Sequence, residues 1–194
     1  MTGTMPPELW LLVGGNGSGK STFYETFLAS HRIPLVNADN IARSLWPGQA
    51  EQHSYEAALI AEKERYRLLE ERQTFCFETV FSHPSKLDFL GAAKALGYVV
   101  KVFYFHLFAP ELNVARVYSR VASGGHHVPE DKLRGRIPRT VNLVQDAVGL
   151  VDELHLVDNS SADQPFKRMA VFQQGEWFLL ADNVPGWVRS FIDG

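Results

Sequence analysis

Apolar residues along this chain fall into short runs separated by longer amphipathic stretches, and the two kinds of segment alternate. Leu9, Trp10, Leu11, Leu12 and Val13 form a run too short for a helix and read as a buried strand. A helical pattern follows to about Ser30, then a second strand over 34–37 and a short helix over 38–45, stopped by Trp46, Pro47 and Gly48. Residues 52–72 are rich in Ala, Leu, Glu and Arg, with no Gly or Pro, and predict a long helix. The aromatic stretch 74–77 predicts a third strand, 84–96 a helix closed by Gly97, and the β-branched run 98–105 the central strand. Pro110 opens a helix that ends before Ser123, Gly124 and Gly125. Residues 131–150 read as helical, with Gly135 and Pro138 expected to interrupt or kink the helix. A fifth parallel strand over 154–158 precedes an alternating pair, 166–171 and 177–180, that turns at Gly175 and predicts a hairpin covering a sheet edge. Strands alternating with helices predict an α/β fold, one domain over residues 1–194.

Between the first strand and its helix stands Gly14-Gly15-Asn16-Gly17-Ser18-Gly19-Lys20-Ser21-Thr22, which meets the G-x-x-x-x-G-K-[ST] pattern at every required position. A strand before it and a helix after it are the context that pattern needs. In such a loop the backbone N–H groups of residues 15–22 cradle phosphate, Lys20 reaches the β- and γ-phosphates, and the Ser21 hydroxyl ligates Mg²⁺. A dinucleotide-binding glycine loop is excluded, because Lys20 stands where its third glycine belongs. The expected fold is therefore a P-loop NTPase-type parallel sheet flanked by helices, with a C-terminal β-hairpin. The expected cofactors are ATP, with GTP an open alternative, and Mg²⁺.

Composition narrows the classes. Of 194 residues, 45% are hydrophobic and 21% charged, with net charge −3, so no overall basic field points to nucleic acid or an anionic membrane. Arg116, Arg120, Lys132, Arg134, Arg136 and Arg139 meet only Glu130 and Asp131 in residues 116–139, giving that stretch +4 against −7 for the rest. Positive charge collected in one stretch of an acidic chain suggests a local anion site. Cys76 is the only cysteine, so neither a disulfide framework nor a cysteine zinc cluster is available. The first residues lack the basic and apolar regions of a signal peptide, and no apolar run is long enough to span a membrane, so a reducing cytoplasm is expected.

Ligands of such sheets sit at the C-terminal ends of the strands, which sorts the acids. Asp39 follows the second strand and suits a general base that takes the proton of an attacking hydroxyl, with helix capping as the alternative. Glu78 ends the third strand and suits a substrate hydroxyl or Mg²⁺-bound water, with pairing to a nearby base as the alternative. Asp158 reads as a turn initiator, and Asp152 and Glu153 precede their strand at the wrong edge. Arg116 and Arg120 share one helix face; beyond the Gly124-Gly125 pair come Arg134, Arg136 and Arg139. A helix, a glycine pair and a second basic segment predict a lid over 116–139 that closes on the nucleotide. His126 and His127 lack ligand-spaced partners and do not read as a metal site.

Taken together, these motifs resemble the zeta-toxin family of P-loop kinases and the related UDP-N-acetylglucosamine kinases. The matching residues are the P-loop, Val36-Asn37-Ala38-Asp39, Phe77-Glu78-Thr79-Val80-Phe81-Ser82, Gly97-Tyr98, and Arg116-Val117-x-x-Arg120-Val121-x-x-Gly124-Gly125-His126-x-Val128-Pro129. Arg136-x-x-Arg139, Asn142-Leu143 and Asp158-Asn159-Ser160 continue the match, which covers most of residues 9–160. The resemblance implies a kinase that moves the γ-phosphate of ATP to a hydroxyl, with UDP-N-acetylglucosamine or a related sugar nucleotide as acceptor and an antitoxin protein as partner. It implies Asp39, Lys20, Arg120 and Arg136 as catalytic residues, and Asp39, Arg43, Glu78, Thr79, Arg116 and Arg139 as substrate contacts. The chain is shorter than the larger toxins, whose extra helical segments appear trimmed. A nucleoside, sugar or antibiotic kinase of the same fold is the nearest alternative. A P-loop ATPase switch is disfavoured because strand three ends in Phe77-Glu78-Thr79 rather than a hydrophobic strand followed by Asp-Glu. Neither nucleic acid nor membrane is expected as a partner.

Overall fold

The computed structural model describes residues 5–122 and 129–193. Seven strands form one sheet in the order β2-β3-β1-β4-β5-β6-β7. The first five, β1 (Glu8–Val13), β2 (Leu35–Val36), β3 (Phe75–Thr79), β4 (Val99–His106) and β5 (Glu153–Asp158), run parallel. β6 (Lys167–Gln173) and β7 (Glu176–Leu179) are the antiparallel hairpin, turning at Gln174 and Gly175. β1 is central, with β3 on one side and β4 on the other, so the chain reverses its direction of travel across the sheet there. That reversal opens a crevice at the C-terminal end of β1, where the P-loop stands.

The strands are apolar on both faces because helices cover both. On one face Leu9, Leu11, Val13, Phe75, Phe77, Val100, Val102 and Leu154 pack against α3 (Ser54–Glu70), α4 (Ser85–Ala95) and α6 (Glu130–Ala147). The other face is a smaller cluster of Leu12, Cys76, Phe103, Phe105 and Val157 under the helix that follows the P-loop. Cys76 is fully buried there, and loss of water pushes its thiol pKa up, as expected of an inert core cysteine. Among the described residues no helix is long and apolar enough to cross a membrane.

Three elements depart from the sequence pattern. α1 (Lys20–Phe23) continues through a wider π-helical turn, Tyr24–Leu28, and a tight turn, Ala29–His31, rather than as one regular helix. α6 runs unbroken through Gly135 and Pro138. Pro138 removes the N–H that would bond the Arg134 carbonyl, and both residues are exposed, so the interruption falls on the solvent side of the helix. Beyond the hairpin, α7 (Gly186–Ile192), which the sequence pattern does not predict, buries Val188 and Phe191, three apart, against the main core. The predicted Gly124-Gly125 hinge, with His126 and His127, lies outside the described residues, as does the side chain of Arg120.

Candidate active site

The P-loop turns tightly because glycine permits it at two points where nothing else fits. Gly17 has φ +77°, and a Cβ there would lie 2.9 Å from the Asn113 carbonyl oxygen. Gly19 has φ +97°, and a Cβ there would collide with Nδ2 of Asn159. The loop's carbonyls are turned outward and occupied. Lys20 Nζ donates to the oxygens of Gly14 and Gly15 at 2.8 and 2.9 Å. Asn113, on α5 (Pro110–Ala122), donates its Nδ2 to Asn16 O at 2.8 Å. Asn159, just past β5, donates its Nδ2 to Ser18 O at 2.9 Å and accepts the Phe166 N–H at 3.1 Å. Holding carbonyls back leaves the loop's N–H groups as the polar surface that faces a ligand.

The acid of the site is Glu78. It stands on β3 opposite Leu12 of β1, and its side chain is 14% exposed. Its Oε2 accepts from Ser21 Oγ at 2.7 Å and from Asn37 Nδ2 at 2.8 Å, while Oε1 lies 3.7 Å from Lys20 Nζ. The alternative of pairing with a nearby base is met by Lys20, and Glu78 also presents oxygen beside the Ser21 hydroxyl. Asn37 does two jobs at once. Its Oδ1 accepts the N–H groups of Asp39 and Asn40, capping α2 (Ala38–Leu45), while its amide holds Glu78. The capping alternative for Asp39 is therefore removed. Asp39 lies in the first turn of α2, exposed, and its carboxylate makes no hydrogen bond among the described residues.

Glu78 and the P-loop face a cavity of about 470 Å³, which neither Asn37 nor Asp39 lines. Gly17, Gly19, Lys20, Ser21 and Thr22 line it, with Arg43, Glu78 and Arg116. Three cations against one carboxylate leave the cavity electropositive, as a polyphosphate requires. The far wall comes from the loop after β5, through Asn159, Ser161, Ala162, Pro165 and Phe166. Sequence reasoning assigned that wall no role beyond a turn, which Asp158 does begin by accepting the Ser160 N–H at 2.8 Å. Asn113 and Asn37 were likewise missed as site residues, since a buried asparagine is recognised only by what it reaches.

The remaining predicted residues do not line this cavity. Thr79 Oγ1 accepts the Phe81 N–H at 3.0 Å and braces the loop after β3. Arg136 is half-buried on α6, and one turn later Thr140 Oγ1 donates to Val80 O at 2.8 Å, anchoring that helix to the same loop. Arg139 is exposed, with Nε bonded to Gly135 O. Arg134 is committed elsewhere, paired with Glu111 at 2.7 Å and Glu130 at 2.8 Å across α5 and α6. His106, at the end of β4, stacks on Trp187 at 4.2 Å, and burial pulls its pKa down to about 4 against the opposing pull of Asp158. It is therefore neutral near pH 7. Ser21 and Glu78 supply hard oxygen donors side by side, the kind a divalent cation takes when phosphate oxygens and water complete its shell.

A mostly parallel sheet with a glycine-lysine-serine loop after its central strand and an acid on the neighbouring strand defines the P-loop NTPase class. Among sequences, a family model described as "AAA domain" (AAA_33) matches residues 9–137, and the chain belongs to that family. It is 30% identical to an uncharacterized protein of Haemophilus influenzae over 136 residues, 66% of this chain and 96% of that one. Among solved structures, the AvrRxo1-ORF1:-ORF2 complex with ATP is similar at TM-score 0.72 and 15% identity, over 90% of this chain and 60% of the other. The chain thus spans about 60% of that protein's length. The PezAT toxin-antitoxin system of Streptococcus pneumoniae follows at TM-score 0.66 and 14% identity, over 100% and 81%. A Chloroflexus aurantiacus chain described as a candidate kinase gives TM-score 0.63 and 18% identity, over 82% and 92%. At these identities the likeness is one of fold.

Proposed function

We propose that the protein is a Mg²⁺- and ATP-dependent kinase of zeta-toxin type that transfers the γ-phosphate to a hydroxyl of a small molecule, with a UDP-sugar such as UDP-N-acetylglucosamine as acceptor. The observation that carries the reading is Glu78 bridging Ser21 and Asn37 beside Lys20 in an electropositive cavity. The P-loop N–H groups and Lys20 hold the β- and γ-phosphates. Ser21 and Glu78 hold Mg²⁺, which supplies charge neutralisation of the phosphates. Asp39 takes the proton of the acceptor hydroxyl as its oxygen forms the new bond to the γ-phosphorus. The bond from that phosphorus to the bridging oxygen breaks, and ADP departs with the electron pair. Arg116, Arg120, Arg136 and Arg139, on the lid segment 116–139, neutralise the charge that spreads over the transferring group. Arg43 and Thr79 border the acceptor. An antitoxin-like protein partner belongs to the same reading, supported by the toxin-antitoxin complex among the fold relatives.

The test is ADP release with Mg-ATP and panels of UDP-sugars, nucleosides and small alcohols. A true acceptor raises turnover well above the hydrolytic background. Slow hydrolysis that no acceptor accelerates defeats the reading.

A further inference from the structure

Two cations lie between α3 and α4, outside the cavity just described. Arg65 projects from α3 so that its guanidinium carbon is 5.1 Å from the centre of the Phe77 ring and 5.9 Å from that of Phe89. Lys86 is in the first turn of α4, three residues before Phe89 and so on the same side of that helix. Both side chains are half-buried, and neither makes an ion pair or side-chain hydrogen bond among the described residues. Nε of Arg65 is buried with no hydrogen-bond partner. Loss of water lowers the pKa of each; Arg65 lowers that of Lys86 further, and Glu62 is the one acid opposing both shifts. Two partly desolvated like charges with one acid, Glu62, a turn before Arg65 on α3, cost stability. Groups perturbed in this way cluster at functional sites.

Their place in the fold says which ligand. Phe77, under Arg65, directly precedes Glu78 on β3, and the two side chains point to opposite sheet faces. Lys86 follows the loop 80–84 that leaves the C-terminal end of β3, the loop that Thr79 braces and Thr140 anchors. Arg65 therefore lies on the sheet face opposite Glu78, and Lys86 opens the helix that follows the C-terminal end of β3, the end at which Glu78 meets Ser21. We infer that Arg65 and Lys86 form an anion subsite for the acceptor, which carries a compact acidic group, phosphate or carboxylate, apart from the hydroxyl that is phosphorylated. The Phe77 and Phe89 rings, set at 90° to each other, both contact the guanidinium, whose N–H groups would serve two oxygens of that group. This assignment rests on the kinase reading and narrows its substrate class.

The test loads the full chain with Mg²⁺ and a non-hydrolysable ATP analogue, so that the P-loop is filled. It then titrates methyl phosphate and acetate by calorimetry against wild type, Arg65→Met and Lys86→Met. Wild type is expected to bind methyl phosphate, with each variant binding it about tenfold or more weakly while holding the analogue with unchanged affinity. Binding of acetate as well assigns the subsite to carboxylates in addition, and binding of methyl phosphate alone restricts it to phosphates. Each methionine also raises the melting temperature of the ligand-free protein, because it removes an uncompensated charge and keeps the contact with the rings; a purely structural cation gives the opposite sign. Equal anion binding in wild type and both variants, or none in wild type, overturns the inference. Failure of the analogue to bind wild type strikes the kinase reading instead, and the difference between wild type and variants in methyl phosphate binding still decides the subsite.

Discussion

Glu78→Gln is the sharpest probe of the phosphate pocket, because it alters charge while nearly preserving shape. In the native site one carboxylate oxygen accepts from both Ser21 and Asn37, and an amide oxygen placed there keeps both bonds. The other oxygen faces Lys20 Nζ at 3.7 Å, and glutamine puts an N–H₂ group opposite that ammonium. Unit charges at this separation attract by about 4 kcal/mol at an effective dielectric of ~20. Most of that is offset by desolvation, and Lys20 keeps its bonds to the carbonyls of Gly14 and Gly15. The expected stability loss is about 1–2 kcal/mol, read as a lower urea midpoint at unchanged slope. Function should suffer more, since the carboxylate is also the anionic member of the proposed Mg²⁺ site. A Mg²⁺ titration of nucleotide binding, followed with a fluorescent ATP analogue, is expected to shift upward by about tenfold, with less change in binding without metal. An unshifted Mg²⁺ curve refutes the metal role, and an unchanged urea midpoint refutes the coupling to Lys20.

Asn159→Ala leaves the buried Ser18 carbonyl without its donor, so nucleotide affinity should fall about tenfold, measured with the same analogue; unaltered affinity removes Asn159 as a support of the P-loop. His106, held neutral in the fold with a pKa near 4 against about 6.5 unfolded, makes the unfolded state the better proton binder between those values. Stability is therefore expected to fall by about 3 kcal/mol from pH 7 to pH 4, and His106→Asn should flatten that part of the curve; an equal slope in the variant assigns the loss to other groups. Arg134→Ala should leave phosphate transfer within about twofold of wild type, because that guanidinium is committed to exposed pairs with Glu111 and Glu130. A loss comparable to that from Arg136→Ala would put Arg134 on the nucleotide.

What the sequence reveals follows from how local each signal is. The P-loop and the strand and helix around it are written within 20 consecutive residues, and the short strands beside it announce themselves as apolar runs bounded by turns. Glu78 is legible from its position at the end of β3 and does line the cavity, whereas Asp39, read from the same rule, does not. Asn159 is not, because its meaning is a bond to Ser18, 141 positions away. Asn37 looks like any polar residue before a helix until its amide is seen to hold Glu78. Arg134 and Arg136 are alike in sequence, and only the placement of Glu111 on the neighbouring helix separates them. Pro138 misleads because its side chain and that of Arg134, whose carbonyl it leaves without an N–H partner, stand on the exposed side of α6, where the helix continues past it. α7 is seven residues long, with neither a side-chain cap nor a long apolar stripe, and is fixed by tertiary packing of Val188 and Phe191 and by the stack of Trp187 on His106.

The central claim is transfer to a hydroxyl with Asp39 as base. Its most direct test is ³¹P NMR of wild type and Asp39→Asn with Mg-ATP and UDP-N-acetylglucosamine. The account predicts a new phosphomonoester resonance growing in step with ADP in wild type, and a rate lower by about a hundredfold in the variant with ATP binding intact. Release of inorganic phosphate alone in wild type, or equal phosphomonoester formation by Asp39→Asn, contradicts it.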